Sequence, residues 1–291
     1  MGRRLLAWAA TVLDFGARFY DQSMLHARQL LTRDGITIAD VACHHGMGRG
    51  EAELNDGGHR LVLVRRGCFL REISGVTCVL DPTMGYFINP GDEHRIDHPQ
   101  PHGDDCTAVG LSVELAASLW GGNPSLPRRP VSVSPRLDLE HRLLLAAARR
   151  GVDSHELEER AIVLSAALLE QTDPRRVGAG RPSTQRARRA LADGVREALT
   201  ADPGRSLPEL AHDLAVSPHH LSRVFHSVTG HTISRHRMRL RVRAALERLA
   251  GGERNLARLA AELGFADQGH LCRVVKAETA RTPSALRSAL A

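Results

Sequence analysis

Two sets of side chains in this 291-residue chain have the types and spacing to do chemistry. The first is a run of potential metal ligands: Cys43, His44, His45, His59, His94, His98, His102 and Cys106. On a strand, Cys43 and His45 share a face, as a paired ligand set needs. His94, His98 and His102 stand at i, i+4 and i+8, an alignment suited to a helix, but Pro99 and Pro101 make a helix there improbable. Histidines of a polar loop more often hydrogen-bond or meet water, so neither a metal nor a cofactor is expected. His45 and His94 remain candidates for contact with a bound effector. The second set is polar and basic, and falls in two clusters near the C-terminus. Ser217, His219, His220, Ser222, Arg223 and His226 form one; Asp267, Gln268, Gly269, His270, Arg273 and Lys276 form the other. Hydrogen bonds to base edges and ion pairs with phosphates are the chemistry such clusters perform.

Helices must present them. Leu207, Leu210, Ala211 and Leu214 recur at i, i+3, i+4 and i+7, and Leu256, Leu259, Ala260 and Leu263 repeat the pattern. Each apolar stripe runs through a turn into a second helix. Ser217 caps the first of these and Pro218 suits its first position; Gly264 ends the preceding helix in the second copy and Asp267 caps the next. Helices are thus predicted over 218–228 and 268–278. Leu221, Val224 and Phe225 face inward in one, and Leu271, Val274 and Val275 in the other. A long helix over 233–249, carrying Arg235, Arg237, Arg239, Arg241, Arg243 and Arg248, should fix the separation of the two units.

Ser217-Pro-His-His-Leu-Ser-Arg-Val-Phe-His with Thr229-Gly230 resembles the first half of the AraC/XylS DNA-binding domain. The segment from Leu259 through Gly264-Phe265 and Asp267-Gln268 to Lys276, with Thr282-Pro283 and Arg287, resembles that family's signature half. The likeness covers roughly the last hundred residues. Leu271 and Val275 stand where the family usually has Phe, and Ala280 where it usually has Gly. Ala280 should resist a left-handed turn. The resemblance implies a bacterial transcription regulator that binds double-stranded DNA, with a cupin-like effector domain ahead of the reader and dimerisation in many members. Gly85-Tyr-Phe-Ile-Asn-Pro-Gly-Asp-Glu-His94 resembles the second cupin motif, while the first is not recognisable.

Composition agrees. The formal net charge is +6, and residues 181–291 carry +9 of it against −3 for the rest. Segregated positive charge suits a nucleic-acid partner. Five scattered cysteines, an odd number, point to a reducing compartment. Arg3-Arg4 before the apolar residues 5–13 imitates a signal peptide, but no small-residue cleavage site follows and the run is too short to span a bilayer. Residues 1–30 are therefore read as an unstructured or helical extension, with Met1 or Met24 as the start. β-prone runs at 36–43, 60–64, 69–73, 76–80, 85–88 and 107–111, separated by turn signals, predict a sandwich or small barrel. Helices over 137–150 and 155–171 follow. The apolar stripe of the second (Leu157, Ala161, Leu164, Leu168, Leu169) is expected to pack on the barrel, with a dimer interface as the alternative.

The fold class expected is α+β: a cupin-like β-barrel with a helical connector, then an all-α domain of two helix-turn-helix units joined by a long helix. The domains expected are an extension (1–30), an effector or dimerisation domain with its connector (31–172), a linker (173–184) and the DNA reader (185–291), opened by a helix over 186–199. The function expected is cytoplasmic, non-enzymatic and sequence-specific: transcription control in response to a small-molecule effector. RNA polymerase and a second copy are open as partners; a membrane is not. The alternative is a metal-dependent cupin enzyme fused to a DNA-binding tail. A DNA-repair protein with Cys43 as acceptor thiol is weaker still.

Overall fold

Alternation along the strands builds the first half of the molecule. The structure, a computed structural model, describes residues 25–33, 35–44, 46–123, 125–172 and 182–291. Expectations for the N-terminal signal-like run, Met24, His45 and most of the linker lie outside the described residues. The chain divides into two units, Met1–Asp173 and Pro174–Ala291.

Ten strands occur among the described residues of the first unit: β1 (Leu25–Arg33), β2 (Ile36–Cys43), β3 (Gly48–Leu54), β4 (His59–Arg66), β5 (Phe69–Ile73), β6 (Val76–Leu80), β7 (Met84–Ile88), β8 (Glu93–His98), β9 (Asp104–Leu111) and β10 (Val131–Ser132). They form a six-stranded sheet ordered β1-β2-β9-β4-β7-β10 and a four-stranded sheet ordered β3-β8-β5-β6. The larger sheet is buried on both faces. Ile36, Ile38, Leu61, Leu63, Phe87, Val109 and Leu111 point to one side, into a core shared with helices. Ala39, Val41, Val62, Val64, Tyr86, Ile88, Cys106 and Ala108 point to the other, with Phe69 and Leu80 of the smaller sheet. Period-2 alternation therefore reads as continuous apolar runs in β4 and β7. The two sheets thus face each other across this second core.

Three helices follow among the described residues: α1 (Val113–Leu119), α2 (Pro135–Arg149) and α3 (Ser154–Glu170). Leu157, Ala161, Leu164, Leu168 and Leu169 of α3 lie in the same core as the sheet, so the stripe is spent on packing. Polar ties add register: His141 Nε2 lies 2.7 Å from Thr107 Oγ1, and Arg149 donates to Asp40 at 2.7 Å.

β1 begins inside the segment read as an extension, and β3 was not foreseen. Both are outer strands with few buried side chains, so no alternation marks them. β1 is held by antiparallel pairing from Leu25↔Cys43 to Arg33↔Ile36.

The second unit is all helical: α4 (Pro182–Ala201), α5 (Leu207–Asp213), α6 (Pro218–Thr229), α7 (Ile233–Ala250), α8 (Leu256–Glu262), α9 (Gln268–Thr279) and α10 (Pro283–Leu290). α4 starts within the span read as linker. Ala192, Val195 and Leu199 of α4 share a core with Leu210, Leu221, Phe225, Ile233 and Leu240. Leu259, Phe265, Leu271, Val275, Leu286 and Leu290 are buried in the C-terminal part of this unit, where α9 and α10 pack against α7. Side-chain caps start the helices where the sequence offered them. Ser217 Oγ accepts from His220 N at 3.2 Å, and Asp267 Oδ1 from His270 N at 2.6 Å. No helix among the described residues is long and apolar enough to cross a membrane.

Candidate functional site

Helices α6 and α9 each bury one face and show the other. Leu221, Val224 and Phe225 are buried in α6, and Leu271 and Val275 in α9, while Val274 is only half-buried. His219, His220, Arg223 and His226 are exposed on α6 with Ser217 at its cap, and Ser222 is half-buried. On α9, Gln268, Gly269, Arg273 and Lys276 are exposed. Two residues of this set have internal work. Asp267 caps the helix, and His270 accepts from Ala266 N at 3.2 Å with its ring against Phe265 at 5.5 Å between centroids. A Cβ on Gly269 would come 3.2 Å from Nη1 of Arg273, so the guanidinium lies back over the start of α9.

The arginines of α7 act as braces. Arg235 pairs with Glu278 of α9 at 2.6 Å, and Arg237 donates to the carbonyl of Arg205 ahead of α5. Arg241 donates to the carbonyl of Gly264 at 2.6 Å, in the turn of the second unit. Arg248 reaches Glu262 and Glu253 at 2.8 and 2.9 Å. One helix thus ties both helix-turn-helix units through side chains that composition alone would assign to phosphates.

The turns expose a repeat hidden in the sequence. Ala215 (φ 53°) and Gly264 (φ 72°) take the left-handed conformation in the two turns; Gly230 (φ 77°) and Ala280 (φ 60°) take it after α6 and α9. Each pair has one glycine and one strained alanine. Left-handed backbone costs a non-glycine residue roughly 1–2 kcal/mol, partly offset by the extra freedom of unfolded glycine. Ala280→Gly should therefore stabilise the second unit by about 0.5–1 kcal/mol, read as a higher midpoint in urea; an unchanged or lower midpoint would refute the strain.

In the first unit a cavity of about 80 Å³ lies between the sheets. Val41, Val62, Phe69, Tyr86, Ile88 and Ile96 supply apolar wall; Arg60, His94, His98 and Asp104 are among its polar groups. His94 and His98 both lie on β8, where an i, i+4 spacing puts them on one face as surely as on a helix. Both are buried, whereas His44 and His102 are exposed and His45 lies outside the described residues. His94 Nδ1 has no hydrogen-bond partner. Burial, with Arg71 and Arg60 nearby, lowers the His94 pKa to about 4, so its ring is neutral at neutral pH. Burial also opposes charge on His98, but hydrogen bonds to Asp104 and Cys43 outweigh it and lift the pKa to about 9.

Residues 210–289 match the family described as "Helix-turn-helix domain". The second unit therefore carries a DNA-binding helix-turn-helix domain. No curated protein matches the chain. Among solved structures, ToxT from Vibrio cholerae aligns at 10% identity and TM-score 0.35, over 92% of this chain and 99% of that one. ToxT bound to an unsaturated fatty acid aligns at 10% identity and TM-score 0.34, over 88% and 97%. A cupin superfamily protein from Desulfitobacterium hafniense aligns at 15% identity and TM-score 0.27, over 32% and 82%.

Within the second unit, a histidine pair packs against Phe225 of α6. His231 Nε2 lies 3.3 Å from Nδ1 of His236, and both rings pack edge-on against Phe225. Burial first, then Arg239 and His236, lowers the His231 pKa to about 4. The unfolded ring titrates near 6.5, so the unfolded state takes up more protons between the two values. Stability present above pH 6.5 should fall as the pH drops toward 4. Thermal melts across that range check it, and His231→Asn should flatten the dependence. An equal slope in that variant would assign it elsewhere.

Proposed function

We propose that the chain reads a two-part DNA sequence with α6 and α9, in the cytoplasm, and that a small molecule in the N-terminal cavity modulates this. The observation that carries the proposal is the pair of capped helices, each with an exposed polar face, braced on one long helix. Arg223 and Arg273 hold matching exposed positions, five residues past Pro218 and Gln268. Each can offer a two-pronged donor to guanine O6 and N7. Lys276 lies farther along α9 and serves a phosphate. Asp267 and His270 shape the start of α9, and their contribution to DNA binding runs through that geometry. For the effector, the support is a buried His94 nitrogen without a partner, lining a largely apolar cavity.

Binding-site selection with single variants tests the assignment. Arg223→Ala and Arg273→Ala should each cost roughly 1–3 kcal/mol and relax preference at one base pair. Lys276→Ala should weaken all sequences alike and lower the salt slope by about one. Uniform loss in the arginine variants, with an altered preferred sequence in Lys276→Ala, would reverse the roles.

A further inference from the structure

At one end of the cavity, three kinds of metal-binding donor converge from both sheets. Cys43 closes β2 and stands opposite Asp104, the first residue of β9, in the antiparallel ladder. His98 closes β8 in the other sheet. A thiol sulfur, an imidazole nitrogen and a carboxylate oxygen from these residues all lie within 4.8 Å of one another, and all three residues are buried. Nε2 of His98 is 2.7 Å from Oδ2 of Asp104. The other carboxylate oxygen, Oδ1, accepts from the Cys106 thiol at 3.1 Å. All four residues line the cavity.

We propose that Cys43, His98 and Asp104 bind a thiophilic divalent cation of the zinc class, with Cys106 orienting the carboxylate. Mixed sulfur, nitrogen and oxygen donors are the set zinc accepts, with bonds of about 2.0–2.3 Å. Tetrahedral bonds of that length separate donors by roughly 3.3–3.8 Å, so the cluster needs adjustments of about an ångström or less. Soft thiolate selects against magnesium and calcium, which take oxygen ligands. Three protein ligands leave a fourth position, reached from the cavity. Cys106 supplies the outer hydrogen bond that fixes a ligating carboxylate. The site does not use His45 or His94, and it departs from the expectation that no metal binds.

Gly103 makes the cluster possible. It takes φ 60° immediately before Asp104, and a Cβ there would stand 1.9 Å from the carbonyl oxygen of Cys43. The two backbones meet at this point because no side chain intervenes.

The test uses the full chain, stripped with a chelator, dialysed under a non-thiol reductant and titrated with cobalt(II). One cobalt per chain should bind, with tetrahedral visible bands and a thiolate-to-cobalt charge-transfer band, and zinc should displace it. Cys43→Ala should abolish the charge-transfer band. His98→Gln should weaken binding by at least ~100-fold, since outer partners alone are worth about 10–100-fold. Cys106→Ala should keep the band and weaken binding about 10–100-fold. Cys78→Ala, at a half-buried cysteine outside the cluster, should change nothing. Circular dichroism establishes that each variant folds, and His98→Gln decides the matter if Cys43→Ala does not fold. Absence of the band in the parent protein, its survival in folded Cys43→Ala, or unchanged affinity in His98→Gln would overturn the proposal. DNA binding by the stripped chain, measured alongside, separates that failure from a failure of the regulator reading.

Discussion

Affinity of the full chain for duplex DNA should fall about 10³–10⁵-fold when salt rises from about 50 to 200 mM. That loss corresponds to release of counterions on contact with roughly 6–10 phosphates. The structure narrows which cations take part. Arg235, Arg237, Arg241 and Arg248 are committed to carboxylates and backbone carbonyls within the domain. Phosphate contact is therefore expected from Lys276, from other exposed cations of this unit such as Arg186, Arg188, Arg254 and Arg281, and from helix N-termini. Fluorescence anisotropy at several salt concentrations gives the slope. A slope near zero would contradict an electrostatic DNA interface.

Gly103→Ala should destabilise the N-terminal unit by about 2–5 kcal/mol. Left-handed backbone at a non-glycine residue accounts for roughly 1–2 kcal/mol, and forcing an atom into occupied space adds about 1–3. Here the occupied space is the Cys43 carbonyl, which is backbone and cannot swing aside as a side chain would. Gly121 is the control: it has φ 61° but nothing within 4 Å of a built Cβ. Gly121→Ala should cost only the backbone share, about 1–2 kcal/mol. Urea unfolding of both variants measures the difference. Equal losses would show that the close approach carries no energy.

The helical half was legible because its signals are local. Ser217, Pro218, Gly264 and Asp267 mark helix ends within a few residues of what they act on, and the structure uses each so. The capping box of Ser206 and Glu209 carries the same kind of local signal. Ala215 was not legible as left-handed, since tertiary packing imposes that conformation against the residue's preference. Nor was the bracing role of the α7 arginines, because Gly264 and Glu278 lie far along the chain from Arg241 and Arg235. The barrel strands with alternating or continuous apolar runs, such as β2 and β4, were visible; the exposed β1 and β3 were not. His94 and His98 were noticed at helical spacing, yet β8 aligns them as a strand. Asp104 was missed entirely: an aspartate next to another aspartate reads as solvated surface, and only the β2–β9 register brings it to Cys43.

Selection from random duplex DNA by the full-length protein tests the central claim most directly. Two reading helices braced on one rigid helix predict two short preferred blocks with centres about 10–10.5 base pairs apart, one turn of the duplex. Arg223→Ala should relax a position in one block and Arg273→Ala a position in the other. A single preferred block, or no enrichment over the starting pool, would contradict a regulator that reads DNA with both helices.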